Sequence, residues 1–228
     1  MTPPPDLEGK DAEAVLAWVE TTFGADAAIA ASFGVEDVVL IDLVRRHAPS
    51  VKVFTIDTGR LHPETYQVME AVRARYRITI ESWCPDAREL EALTTAGGHF
   101  SFRASVEARQ QCCRVRKVHP LTRALFGRKA WLTGLRREQS GDRGAVRVVD
   151  VDQQHGGLLK VNPLAAWTDE QTWAHARAHR LPYNRLHDQG FPSIGCAPCT
   201  RAVTPGEPAR AGRWWWEQEG HKECGLHR

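Results

Sequence analysis

The stretch AAIAASFGVED, residues 27–37, decides the reading of this chain. Ala27–Ala31 is a short apolar run without polar interruption, as a strand buried on both faces requires. Ser32-Phe33-Gly34 breaks it, and Val35 onward reads as a helix to about His47. Strand, polar loop and helix are half of a βαβ unit, and the pattern recurs. VKVFTID, residues 51–57, is a second strand of buried type, ending at Thr58-Gly59-Arg60. Pro63 suits the first turn of a helix that runs to about Tyr76. Arg77–Trp83 alternates as a third strand, and Ala130–Thr133 is a fourth, ending at Gly134-Leu135-Arg136-Arg137. Right-handed crossovers then give an α/β fold with a mostly parallel sheet.

Outward from that core the signals are local. Asp11 can cap a helix over Ala12–Phe23. Val146–Asp152 and Leu158–Val161 flank His155-Gly156-Gly157 as a hairpin. Thr168 and Gln171 make a capping box for a helix to about Arg180. After Pro182 regular patterning fades. Residues 1–208 therefore read as one α/β nucleotide-binding domain, and 209–228 as a cysteine-bearing tail expected to be mobile.

The 228 residues carry a net charge of +2 and are 42% hydrophobic. That excludes a broad polyanion-binding face, so no nucleic-acid partner is expected. No segment is long and apolar enough to span a membrane, and the Pro-rich start, Met1 to Pro5, lacks the apolar run of a secretion signal. A cytoplasmic chain is expected, with its six cysteines reduced.

Ligands of open α/β sheets bind beyond the carboxyl ends of the strands. Three loops fall there: Ser32–Asp37, Asp57–Arg60 and Gly134–Ser140. The first opens a helix, whose amides can meet a phosphate with the helix dipole behind them. By itself it is equally an ordinary βα turn. Arg60, Arg136, Arg137 and Arg143 add guanidinia suited to an oxyanion, although any single one could be a solvated surface residue. Together they favour a nucleotide-sized anion.

Cys112 and Cys113 are adjacent, at the start of a helical pattern reaching about Phe126; Cys196-Ala-Pro-Cys199 forms a two-thiolate knuckle. Neighbouring helical residues project about 100° apart, so both sulfurs reach one object only if it is wide. That favours a [4Fe–4S] cluster over zinc. Lys117 falls one turn beyond Cys113, between such a cluster and an anion, unless it is a plain surface lysine. Cys84 reads as a partly buried small hydrophobe. Cys224 stands alone among His221, Lys222 and His227, cations that raise a thiolate fraction. Arg210 and Arg213 precede it, and Trp214-Trp215-Trp216 reads as an anchor for the tail.

With the motifs SFGVED, Ile56-Asp57-Thr58-Gly59, Cys112-Cys113-Arg114-Val115-Arg116-Lys117, Thr133-Gly134-Leu135-Arg136-Arg137, Cys196-Ala-Pro-Cys199 and Cys224-Gly-Leu-His in order, the chain resembles the assimilatory adenylyl-sulfate (APS) reductases within the APS/PAPS reductase family. The resemblance implies an adenine-nucleotide α-hydrolase-like fold. Cys112, Cys113, Cys196 and Cys199 would hold the cluster, which undergoes no net redox change. Cys224 would attack the sulfur of APS, expel AMP and become a thiosulfonate. Thioredoxin or a glutaredoxin-like donor would then release sulfite. Lys117, Arg143, Arg210, Arg213 and His227 would contact the phosphosulfate, with Arg136 nearby. Ser32, Phe33, Gly34, Ile56 and Gly134 would cradle the adenosine.

Three alternatives stay open at this point. The substrate could be PAPS, or both nucleotides. An ATP-pyrophosphatase-type enzyme would share the fold but normally carries Ser-Gly-Gly-x-Asp-Ser where this chain has SFGVED. A zinc-binding, non-enzymatic module would leave Cys224 dispensable. A homo-oligomer is compatible with all of them.

Overall fold

Asp11 accepts a hydrogen bond from the Ala14 amide and so starts α1, Ala12–Thr22, which buries Ala12, Val15, Leu16 and Val19. This computed structural model describes residues 5–139 and 144–217. The chain falls into two units, Met1–Thr55, Glu64–Glu81 and Gly127–Arg185 making the first. The second comprises Ile56–Pro63, Ser82–Phe126 and Leu186–Arg228.

The first unit is built on the sheet. Its strands are β1 (Ala27–Ala30), β2 (Lys52–Ile56), β3 (Ile80–Trp83), β4 (Ala130–Leu132), β5 (Val149–Asp152) and β6 (Leu158–Val161), ordered β3-β2-β1-β4-β6-β5. β1 pairs in parallel with β2 and β4, and β4 with β6, while the β5–β6 hairpin is antiparallel. The chain builds outward from β1 through β2 to β3, then returns to place β4 on the other side of β1. That reversal is a topological switch point, where open α/β sheets bind ligands. Helix α2 (Val35–His47) is buried almost all round, as a central helix is. α1 and α7 (Asp169–Ala178) both pack on it. The Thr168–Gln171 capping box starts α7 with both reciprocal bonds formed. α3 (Pro63–Tyr76) has the expected bounds. Its Tyr76 hydroxyl donates to buried Asp42 of α2, which Arg46 and His175 also contact.

The second unit carries three helical stretches. α4 (Ala87–Gly97), which sequence patterning missed, is capped by Asp86 and followed by Gly98 at φ 74°. It fully buries no residue, but Leu90 and Leu93 give it a half-buried apolar stripe, and Leu93 packs against the cysteine cluster. α5 (Val106–Cys113) continues through a π-helical turn, Arg114–Val118, into α6 (His119–Leu125). Beyond Leu186 there are only short 3₁₀ turns and one isolated bridge between Thr200 and Arg213 among the described residues, so the fading of regularity is observed.

Two expectations are corrected. The third strand is shorter than Arg77–Trp83, because Arg77 takes a left-handed φ of 51° that a strand cannot contain. Cys84 is exposed rather than partly buried; its backbone carbonyl, not its thiol, is engaged, by Arg123.

Candidate functional site

Two groups of functional side chains emerge, one in each unit. In the first unit the loops after β1 and β4 flank the switch point. Phe33 is fully buried with φ 61°, a conformation non-glycine residues keep only when their surroundings impose it. Asp37, in the first turn of α2, accepts from the Ser32 amide at 2.6 Å and the Ser32 hydroxyl at 2.7 Å. Its other oxygen, Oδ1, lies beside Gly134, where a Cβ would come within 2.6 Å of it and 3.0 Å of Glu36 Cβ. Only glycine fits there. Burial pushes the Asp37 carboxyl up to about 6, and its bonds from Ser32 only partly offset that.

This geometry changes the expected role of the loop. The Ser32 amide donates to the protein's own carboxylate instead of standing open to a phosphate. Arg136 is likewise committed: its guanidinium donates to Glu36 at 3.0 Å and Asp169 at 2.9 Å and is almost fully buried. The Ser32 amide and the Arg136 guanidinium are thus already engaged within the chain, which suits the uncharged nucleoside part of a ligand. The structure brings Ser32, Gly34 and Gly134 together around the start of α2 and binds Arg136 into the scaffold.

In the second unit Cys112, Cys113, Cys196 and Cys199 are all buried and line one cavity with Phe102, Trp214 and four cations, Arg60, Arg109, Arg116 and Lys117. The π-helical turn directly follows the cysteine pair, its His119 amide bonding five residues back to the Arg114 carbonyl. Such turns insert one residue and re-aim the side chains beyond it, and they concentrate at functional sites. Here Val115, Arg116 and Lys117 are all buried, so Lys117 is no surface lysine. Arg116 donates to the Thr58 carbonyl at 2.6 Å, and the Thr58 hydroxyl lies 3.3 Å from Cys196 Sγ. The Ala197 amide donates to the Arg60 carbonyl, tying the knuckle to the Asp57–Arg60 loop. Ile56, half-buried, opens that loop.

The thiols differ in acidity. Burial opposes ionisation of Cys196, but Lys117, the Thr58 hydroxyl, Arg213 and Arg116 outweigh it and hold the thiol below its usual range. Cys199 is pushed up to about 12, by burial first and then by the charge of Cys196. Burial also raises Cys112. Four thiolates this close require a cationic centre among them, the donor set of an iron–sulfur cluster or tetrahedral zinc. Arg116 Nε and Trp214 Nε1 are buried without a hydrogen-bond partner. Buried donors rarely lack acceptors, and the sulfurs of a cluster in the cavity would supply them. The residues fit a cluster.

Arg213 is buried, donates to Ser193 Oγ and the Ile194 carbonyl, and stacks on Trp214. It occupies the space above Gly195, where no Cβ fits. Arg210 is half-buried, its carbonyl accepting from the Arg213 amide. Trp214 is the buried anchor; Trp215 is exposed and Trp216 packs on Phe102. Arg143, Cys224 and His227 lie outside the described residues. Arg109 and Arg116 went unassigned in the sequence, although three- and four-residue spacing from Cys112 and Cys113 puts them on the cysteine face.

The phosphoadenosine phosphosulfate reductase domain family matches residues 26–202. The adenosine 5'-phosphosulfate reductase of Allochromatium vinosum is 52% identical over 87% of this chain and 77% of its own length. That of Pseudomonas aeruginosa strain LESB58 is 46% identical over 97% and 84%. A solved phosphoadenylyl-sulfate (PAPS) reductase from Candida auris, a phosphate complex, is 30% identical with a TM-score of 0.73, covering 86% of this chain and 92% of its own.

Proposed function

The chain belongs to the phosphoadenosine phosphosulfate reductase family and has its adenine-nucleotide α-hydrolase-like fold, and from that premise we propose that it reduces APS to sulfite and AMP in sulfate assimilation. One observation supports the APS-reducing reading above the rest: two cysteine pairs, far apart in sequence, line a single buried cavity beside Lys117 and Arg116. Cys112, Cys113, Cys196 and Cys199 would hold a [4Fe–4S] cluster, which when bound would order the pocket and undergo no net redox change.

The chain's own groups carry the chemistry. The Cys224 thiolate attacks the sulfate sulfur of APS; an S–S bond forms, the S–O bond to phosphate breaks, and AMP leaves with the electron pair. Lys117, Arg143, Arg210, Arg213 and His227 are the cations assigned to the phosphosulfate, where they offset charge developing on the leaving phosphate. Ser32, Phe33, Gly34, Ile56 and Gly134 take the adenosine. A dithiol donor of the thioredoxin or glutaredoxin type then attacks the Cys224 sulfur. Sulfite departs with its bonding pair, and the donor's second thiol resolves the mixed disulfide. The two electrons come from the dithiol, and Cys224 returns as a thiol. Such chemistry fits a reducing, cytoplasmic setting. Among the described residues no helix is long and apolar enough to cross a membrane.

The test is sulfite release from APS and from PAPS by anaerobically prepared protein with thioredoxin. A brown protein that turns over APS and hardly touches PAPS is expected. Equal rates would widen the substrate to both nucleotides; a colourless, inactive protein with stoichiometric zinc would overturn the reading.

A further inference from the structure

Glu217 is the last described residue before the segment carrying Cys224, and it is held by an enclosed ion pair. Arg109 Nε donates to Glu217 Oε1 at 2.7 Å and Nη2 to Oε2 at 3.1 Å, with side-chain exposures of 1% and 7%. The guanidinium lies 4.5 Å from the Trp214 ring centroid. On α5, Arg109 precedes Cys112 and Cys113 by three and four residues, so it shares their face. At the other end the Glu217 amide donates to the Trp214 carbonyl, and the Trp214 amide donates to the Cys199 carbonyl. Trp214 takes a φ of 46°, a strained value for so large a side chain. One short turn is thus fastened to both halves of the cysteine set.

We propose that the Arg109–Glu217 pair is a positioning clamp that couples the four-cysteine centre to the point where the chain enters residues 218–228. This rests on reading the cysteines as cluster ligands and Cys224 as the nucleophile. A buried ion pair adds little net stability, because desolvation offsets its attraction. What a two-pronged guanidinium–carboxylate contact supplies is direction. Coupling is reciprocal: if loaded cysteines hold the clamp, the clamp strengthens the hold on iron, and a chelator then removes less of it.

The experiment compares iron-loaded, full-length wild type with Glu217→Gln, Glu217→Asp and Arg109→Lys. It reads amide hydrogen exchange at Trp214 and Glu217, iron loss to a chelator, and single-turnover AMP release from APS without reductant. Glu217→Gln is expected to quicken exchange and increase iron loss by about fivefold or more and slow AMP release by at least as much, the range of ordinary site coupling. Its affinity for AMP stays unchanged. Glu217→Asp, which keeps the carboxylate, recovers part of each effect. In wild type, stripping the iron quickens exchange at the same amides. Wild-type exchange and iron loss in Glu217→Gln overturn the clamp, even if AMP release slows. Should that variant not load iron, Arg109→Lys, which keeps the charge but not the fork, decides by the same readouts. Failure of the underlying reading is separate: it shows in wild type holding no iron, or in Cys224→Ser releasing AMP undiminished.

Discussion

The loop after β1 and the cysteine pocket both bury charge, and they treat it in opposite ways. In the first unit the buried charges take partners from the chain itself: Asp37 the Ser32 amide and hydroxyl, and Arg136 the Glu36 and Asp169 carboxylates. In the second, Arg60, Arg116 and Lys117 surround thiols that cannot all ionise alone. The first arrangement suits a ligand part held by shape and hydrogen bonds; the second gathers cations and sulfur ligands around one cavity, as an anion and a metal would require. The sequence left this loop between a phosphate site and an ordinary βα turn, because a helix N-terminus that attracts a phosphate attracts Asp37 as well.

The comparison breaks most sharply at the cysteines. Cys224→Ser is expected to abolish sulfite formation, by roughly 10⁴-fold or more, as nucleophile removal does, with AMP binding intact. Sulfite assays beside equilibrium binding check it; residual turnover near wild type would end the assignment. Lys117→Ala should lower kcat about 10²- to 10³-fold with iron content unchanged, the size of one lost transition-state contact. An unchanged kcat would reduce Lys117 to a structural cation.

In the first unit the effects are expected in nucleotide affinity, not in metal content. Gly134→Ala forces a methyl group against Asp37 and Glu36, and strain of that kind costs about 1–3 kcal/mol. The KM for APS should rise several-fold or more with the iron retained. Iron loss in Gly134→Ala would contradict the division of labour.

Asp37 sharpens the contrast through pH. Its folded-state carboxyl titrates near 6, above the ordinary 3.8, so the native state holds the proton longer than the unfolded chain does. Stability from this group is full below about 4 and declines as pH rises through 6. Asp37→Asn does not titrate, so its stability relative to wild type should improve by about 2–3 kcal/mol between pH 4 and pH 7. Denaturant midpoints across that range test it; a flat difference would remove the buried charge from the account. The smallest effect is expected at Thr168→Ala, which loses the α7 cap and about 1 kcal/mol of stability, with kinetics unaltered.

Strand and helix order was legible because buried parallel strands are largely apolar runs, as at Ala27–Ala30 and around Val53 and Phe54, and because caps such as Asp11 and Thr168 are local devices. The four cysteines were legible as one set because their spacing and residue type announce a sulfur-ligated centre. α4 went unread although Asp86 caps it and Leu90 and Leu93 give it an apolar stripe, so the signal was there to be found. Arg136 was taken for an anion ligand because a sequence shows a guanidinium but not the Glu36 and Asp169 carboxylates that reach it from 100 and 33 residues away. By itself, then, the sequence determined the element order and the family to which these motifs belong, and it pointed to the four cysteines as one set. Tertiary structure alone decided which charges are satisfied within the fold, that Lys117 is drawn inward after a π-helical turn, and that Arg109 closes on Glu217. Burial and partnership depend on chain segments far apart in sequence, and no local pattern encodes how such segments meet.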